Sequence, residues 1–373
     1  MERFEAIIVG AGYAGMAAAA QMPGRELLVI ERYDSIVQKR RGSLGFLFPF
    51  GEQVEVRGND LYLNGLELLV ESGVRQAFRH IQIRGNRERF DLALRDPLLL
   101  INEGRLKGAL LRRIRENGTR VKVGSAVREV DTDGREVTVR TSTEYSSRIL
   151  LGADGVGSVV ARSLRFRRDK LAILFQREVE LSHLDIPADT LYLQIDDSRN
   201  LFFAFPVGDH FQASVIQIVA DREVPEDLEM KLIDKVERLG GGRLLAGRNA
   251  VVRLFSPAST SYRSNVLLTG DALATYGFAT ITGALAMGSL AGAAINRFLA
   301  GSHYALPEYH DKWRKVSGHT TIERIRYALP ILSRIEGDRV DRILKAARRP
   351  GQVYAGGANL LWHLPAILWR LFV

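Results

Sequence analysis

The sequence predicts an α/β protein that opens on a Rossmann-like nucleotide-binding unit, and three observations carry that prediction. The first is Ile7-Ile8-Val9-Gly10-Ala11-Gly12-Tyr13-Ala14-Gly15, where an apolar run meets glycines at dinucleotide-fingerprint spacing. The second is a pair of later glycine loops, Gly152-Ala153-Asp154-Gly155 and Gly270-Asp271-Ala272, each closing an apolar run. The third is strand-like alternation in 54–100 and again in 170–255, the pattern of an inserted sheet.

Ala6 to Val9 reads as a buried parallel strand, Met16 to Gln21 as an Ala-rich helix, and Leu27 to Ile30 as a second strand ending in Glu31. Gly10 permits the tight turn, Gly12 lets the backbone approach a pyrophosphate, and Gly15 lets helix and strand pack closely. The helix N-terminus offers free N–H groups and a positive dipole end to that phosphate. Glu31 can accept hydrogen bonds from ribose hydroxyls. Residues 33–53 are Gly-rich and basic, then Phe-rich. A helix is expected over 104–117, where Leu106, Leu110, Leu111 and Ile114 fall at helical spacing before Gly118. Val121 to Val123 reads as a strand, two more flank the Asp133-Gly134 turn, and Ile149 to Leu151 leads into the second glycine loop. Beyond it, Leu191 to Ile195, Leu201 to Phe205 and Ala213 to Val219 read as strands, with a helix near 225–239. Val266 to Thr269 is another parallel-type strand. A small-residue helix follows over 284–299, and from 303 the chain reads as mostly helical.

At 373 residues the chain can hold two subdomains, and 46% hydrophobic with 25% charged residues is the composition of a soluble globular protein. No run of about 20 uncharged apolar residues occurs, so no spanning helix is expected. The first strand begins within a few residues of Met1, which leaves no room for a signal peptide; a cytoplasmic protein is expected. The absence of cysteine excludes disulfides, thiolate metal sites and cysteine nucleophiles, and seven His without an HExxH-like pairing predict no metal. The net charge of +9 comes mostly from arginine. It suits an anionic lipid surface, a phosphorylated substrate or nucleic acid. No nucleic-acid motif accompanies the clusters Lys39-Arg40-Arg41, Arg112-Arg113 and Arg165 to Arg168. Nucleic acid is therefore not expected as a partner, and most of these clusters read as solvated faces.

An Asp in a strand-end glycine loop can orient a ribityl hydroxyl, and Gly155 permits close backbone approach. Gly270-Asp271-Ala272 repeats that design. Thr282-Gly283-Ala284 then opens a helix whose N-terminus can face a flavin carbonyl or a phosphate. Each Asp-Gly pair alone is an ordinary turn; all three loops in this order point to FAD.

The three loops resemble those of the flavoprotein family of the p-hydroxybenzoate hydroxylase fold, which carries GxGxxG, GADGxxS and GDA segments in this order. The resemblance covers about 300 residues in organisation and about 40 in close motif detail. It implies a doubly wound FAD domain (1–53, 101–169 and 256–300) interleaved with an antiparallel-sheet substrate domain (54–100 and 170–255), then a helical C-terminal region (301–373). It implies FAD contacts at Gly10, Gly12, Ala14, Gly15, Glu31, Arg32, Asp154, Gly155, Gly270, Asp271, Thr282, Gly283 and Ala284. Within the family, Phe203-Ala204-Phe205-Pro206 is similar to the aromatic Phe-Pro segment of geranylgeranyl reductases, which lines a long apolar pocket. Several residues depart from that branch. Leu201 and Phe203 stand in place of Tyr and Trp, and Arg41-Gly42-Ser43 lies near the usual Cys-Gly-Glu. Asn102-Glu103 replaces Asp-Arg, and no proline precedes Thr282.

The implied function is hydride transfer from reduced FAD to C=C bonds of a polyprenyl lipid, in a pocket that includes Phe203, Phe205, Pro206 and Tyr276. Two alternatives stay open. One is a flavin monooxygenase that hydroxylates or epoxidises, including a residue of a partner protein. The other is a non-catalytic electron-carrying flavoprotein. Tyr276 and His210 are the polar aromatic side chains nearest the motif loops, and either a proton-donor or a buried structural role fits them. The Phe-rich segments read equally as tunnel lining or as core strands. The apolar C-terminus, with Trp362 and Trp369, reads as an interfacial anchor on an anionic membrane or as a helix docked on the protein. No second nucleotide fingerprint occurs, so the electron donor is unspecified.

Overall fold

The computed structural model describes residues 1–37, 45–47, 54–85, 87–168, 170–195, 200–219, 227–255, 258–273, 280–316 and 341. The first half of the chain forms β1 (Glu2–Val9), α1 (Tyr13–Ala20), β2 (Leu27–Ile30), β3 (Phe46–Leu47), β4 (Val54–Arg57), β5 (Asp60–Leu63), β6 (Leu68–Val70), β7 (Val74–Arg84), β8 (Arg89–Ile101), α2 (Glu103–Glu116), β9 (Arg120–Lys122), β10 (Glu129–Thr132), β11 (Val137–Arg140), β12 (Glu144–Gly152) and α3 (Val159–Ser163). The second half forms β13 (Lys170–Leu181), β14 (Thr190–Ile195), β15 (Asn200–Val207), β16 (His210–Val219), α4 (Leu228–Arg238), β17 (Leu244–Phe255), β18 (Tyr262–Arg263), β19 (Val266–Leu268), α5 (Thr280–Leu299) and α6 (Ala305–Val316).

Five strands of the first sheet run parallel in the order β9-β2-β1-β12-β19. β2 is Leu-Leu-Val-Ile and wholly buried, and β12 ends in Ile149-Leu150-Leu151-Gly152, also buried. Such runs suit parallel strands covered on both faces. From β1 the chain steps outward to β2 and β9. It later returns to β12 on the other side of β1 and moves on to β19. The direction of winding therefore reverses between β1 and β12, the point where open α/β sheets bind their ligands. The first half of β12 pairs with β11 and its last three residues with β19, so one edge serves two partners.

The second sheet has the order β17-β13-β16-β15-β14-β7-β8-β3, antiparallel throughout except for β14 beside β7. Successive side chains in a strand alternate between faces. Phe202 and Ala204 thus join Val179, Ala213, Val215 and Leu232 of α4 in one core, while Phe205 joins Phe78, Ile81 and Leu191 in another. The short sheet β4-β5-β6 buries Leu61, Leu63, Leu68 and Val70 in the same core as the first sheet.

α5 packs on α1 through glycine. A methyl group added at Gly288 would come 2.8 Å from Ala14 Cα, and one added at Gly292 would come 2.8 Å from Ala18 Cα. Only the missing side chains allow the two backbones to come this close. α5 begins at Thr280, earlier than the expected 284, because Gly283 sits inside the first turn and does not end it. α6 closes over the first sheet: Trp313 is fully buried, and Tyr309 Oη donates to Leu268 O at 2.8 Å. Further along, the Asp341 carboxylate accepts from the backbone N–H groups of Arg87 and Glu88, which fastens the tip of the β7–β8 hairpin. Among the described residues no helix is long and apolar enough to cross a membrane.

Candidate cofactor site

Four strand ends lie level at one edge of the first sheet: Ile30 beside Val9, Val9 beside Gly152, and Gly152 beside Leu268. The ladder continues one residue further. Gly10 N donates to Ile30 O at 2.8 Å, Ala153 N to Val9 O at 2.8 Å, and Thr269 N to Gly152 O at 2.9 Å. The three glycine loops recognised in the sequence therefore start side by side, across the reversal point of the sheet.

Gly10 has φ 102°, and a methyl group there would lie 2.8 Å from Asp154 Cα. The first two loops touch backbone to backbone. A methyl group at Gly15 would overlap the carbonyl oxygen of Gly10 and reach the Ala153 side chain at 3.3 Å. Gly12 is the N-cap of α1 and supplies no side chain, so the first-turn N–H groups are not satisfied by a side chain at the cap position. Ala14 is buried, and Gly270 (φ 56°) lies so near that a methyl group there would meet the Ala14 Cβ at 2.9 Å.

Glu31 is buried at the end of β2. Its Oε2 accepts from Ala11 N at 2.9 Å and its Oε1 from Tyr33 N at 3.2 Å. The carboxylate thus ties the fingerprint loop to its neighbour while keeping lone pairs for further donors. Arg32 is exposed, with its guanidinium 4.7 Å from the Tyr33 ring centroid. Asp154 Oδ2 accepts from Val159 N at 2.6 Å and Val160 N at 3.4 Å at the start of α3, while Gly155 turns with φ 80°. Its other oxygen, Oδ1, is buried with no hydrogen-bond partner among the described residues. Burial pushes the Asp154 carboxyl above its usual range, against the opposing pull of Ser158 and the backbone of Val159 and Val160. Thr269 is fully enclosed, and its Oγ1 likewise has no partner among the described residues. Asp271 lies half-buried in the third loop, and Thr282, Gly283 and Ala284 form part of the first turn of α5.

The residues expected to line an apolar pocket divide. Phe205 is fully buried between Phe46 and Phe78, with ring centroids 5.0 and 5.7 Å away. Pro206 is also buried, whereas Phe203 is half-buried opposite Ser214 of β16. His210 starts β16 with its Nδ1 3.1 Å from the exposed Asp209 carboxylate. Tyr276 lies outside the described residues.

Sequence reasoning missed two groups beside the loops. Arg168, read with its neighbours as a solvated face, is half-buried and reaches the backbone of both later loops. Tyr13, the first residue of α1, donates from Oη to Glu103 Oε2 at 2.8 Å, and Lys107 Nζ lies 3.2 Å from that same oxygen. The Glu103–Lys107 spacing of four on a helix was a visible signal. Arg168 had none, because nothing in its spacing marks a backbone contact.

The donor and acceptor set fits a dinucleotide such as FAD. It offers glycine clefts at the winding reversal, an uncapped helix start, and a buried carboxylate oxygen without a partner among the described residues. The FAD binding domain family model matches residues 3–238. The chain belongs to this family. Its cofactor is FAD. Comparison with curated proteins finds no match. Among solved structures, a geranylgeranyl bacteriochlorophyll reductase-like protein from Thermoplasma acidophilum superposes with TM-score 0.80 at 17% identity, covering 100% of this chain and 99% of its own. The p-nitrophenol 4-monooxygenase of Pseudomonas putida gives 0.73 at 16% identity, covering 100% and 99%. The anhydrotetracycline hydroxylase of Streptomyces rimosus gives 0.66 at 21% identity, covering 99% and 75%. At these identities the likeness establishes the shared fold.

Proposed function

We propose that this flavoprotein reduces carbon–carbon double bonds of a long apolar, prenyl-type lipid. The observation that carries the reading is β15, where Phe203-Ala204-Phe205-Pro206 runs through the middle of the antiparallel sheet. Phe203 is left half-buried on the face whose core holds Phe205, Phe78 and Leu191. The near-complete overlap with a reductase-like protein supports it.

Bound FAD, when reduced, supplies a hydride. The chain's part is to hold the cofactor and to keep the reacting alkene dry. Gly10, Gly12, Ala14 and Gly15 would accept the pyrophosphate, Glu31 and Arg32 the adenosine end, and Asp154, Gly155, Gly270, Asp271 and Thr282 to Ala284 the ribityl and flavin end. Phe203, backed by Phe205, Pro206 and the sheet, would offer an apolar wall. Each buried methylene of the substrate contributes about 0.8 kcal/mol there. Each double bond reduced would take up one hydride and one proton, so two electrons from an external donor would be consumed per bond. A basic protein surface suits an anionic membrane as the source of such a lipid.

The test is an anaerobic half-reaction. Holoprotein reduced with dithionite and mixed with geranylgeranyl diphosphate or a geranylgeranyl ether lipid should regain oxidised-flavin absorbance, and each product should gain two hydrogens per double bond. Absence of reoxidation with every prenyl lipid tried overturns the reading. Substrate-stimulated oxygen uptake with a hydroxylated or epoxidised product would replace it with the monooxygenase alternative.

A further inference from the structure

We infer that Arg168 is a positioning residue that locks the second and third glycine loops into one unit, so that FAD binds to a pair of loops already held in register. Its Nη1 donates to Val156 O at 3.2 Å, just beyond Asp154-Gly155, and its Nη2 donates to Asp271 O at 2.8 Å. The two loops lie far apart in the chain, and at their base they are joined by Thr269 N donating to Gly152 O. Arg168 adds a second tie beyond the strand ends. Its positive charge also attracts the Asp271 and Asp154 carboxylates.

The residue type suits the task. A guanidinium is planar and presents donors in fixed, diverging directions, so it can hold two carbonyl oxygens at a set separation. Lysine offers one compact ammonium on a flexible stem and can reproduce the charge but not the fork. The segment carrying Arg168 runs from α3 toward β13, so the clamp is anchored to the strand that enters the second sheet. The fingerprint loop takes no part in these two hydrogen bonds. Arg168 should therefore matter for the parts of FAD assigned to loops two and three, and not for its adenosine diphosphate half.

The inference rests on FAD being the cofactor but is independent of the substrate, so its failure would leave the reductase reading untouched. The experiment compares FAD and ADP binding to wild-type apoprotein, Arg168→Ala and Arg168→Lys, by flavin fluorescence quenching and calorimetry. Loss of the charged double donor should weaken FAD by about 10–100-fold while ADP changes less than about twofold. Arg168→Lys should recover part of the FAD affinity. Unchanged FAD affinity, equal weakening of FAD and ADP, or a Lys variant no better than Ala would overturn the assignment. If the Ala variant does not fold, Arg168→Lys is compared with Arg168→Gln. Tighter FAD binding by Lys at equal ADP affinity supports the clamp, and the reverse order overturns it.

Discussion

The strand-end loops of the first sheet and the aromatic centre of the second sheet solve opposite problems. The loops must bring backbone N–H groups close to a charged ligand, which glycine alone permits at several points. Gly10 faces Asp154 Cα, Gly15 faces the Gly10 carbonyl, and Gly270 faces Ala14, each at a distance that a side chain would close. On the proposed reading the second sheet offers side-chain surface at the half-buried Phe203, while Phe46, Phe78 and Phe205 form ordinary core packing. A site made of backbone geometry stores its function in what is absent from the residues. A site made of apolar side chains uses the same chemistry that holds the fold together.

That contrast is easiest to break at Phe205. It is fully buried and edge-on to Phe78, so Phe205→Ala leaves a cavity and should cost about 3–5 kcal/mol. Denaturant melts should show the loss, while the fraction that stays folded should bind FAD with wild-type affinity. Gly15→Ala should instead put its main loss on the cofactor. Its methyl group meets backbone on the fingerprint loop, so stability should fall by about 1–3 kcal/mol and the protein should purify without flavin absorbance. FAD loss from Phe205→Ala, or a yellow Gly15→Ala protein, would remove the distinction between the two regions.

The same contrast decides what the sequence reveals. The glycine loops, the parallel strands and Asp154 were legible because a strand-to-helix turn around a phosphate tolerates few residues at fixed spacing. α4 and the hairpin at Asp133-Gly134 were legible through periodicity and turn chemistry, and they appear as Leu228–Arg238 and as β10 paired with β11. Phe205 remained ambiguous because a tunnel wall and a core strand share one composition; only the two flanking rings place it inside the packing. Glu31 was read as a ribose acceptor, yet both its oxygens also fasten backbone, a contact that requires the loop to fold back on β2. Gly288 and Gly292 read as parts of a small-residue helix, and their partners Ala14 and Ala18 are named only when α5 lies on α1.

Asp154 joins the two halves of the comparison, since it is a loop residue whose environment is that of a core. In the cofactor-free fold, burial raises its carboxyl pKa above the value of about 3.9 expected in an unfolded chain. Between those two values the folded protein keeps a proton that the unfolded chain has released. Stability therefore falls as pH rises through that window; the contribution is complete below the unfolded value and lost above the folded one. Asp154→Asn removes the titration while its side-chain oxygen can still accept from Val159 N. The apoprotein of this variant should show a flatter stability profile above about pH 4 and be at least as stable as wild type at pH 7. Chemical melts of both apoproteins across pH 4 to 8 would measure it. FAD affinity should move the other way, because the variant replaces a buried carboxylate oxygen that has no partner among the described residues with a neutral amide. Apoprotein and holoprotein responding in opposite directions would identify Asp154 as a group placed for the cofactor against the preference of the fold. A parallel loss in both would make it a structural cap of α3.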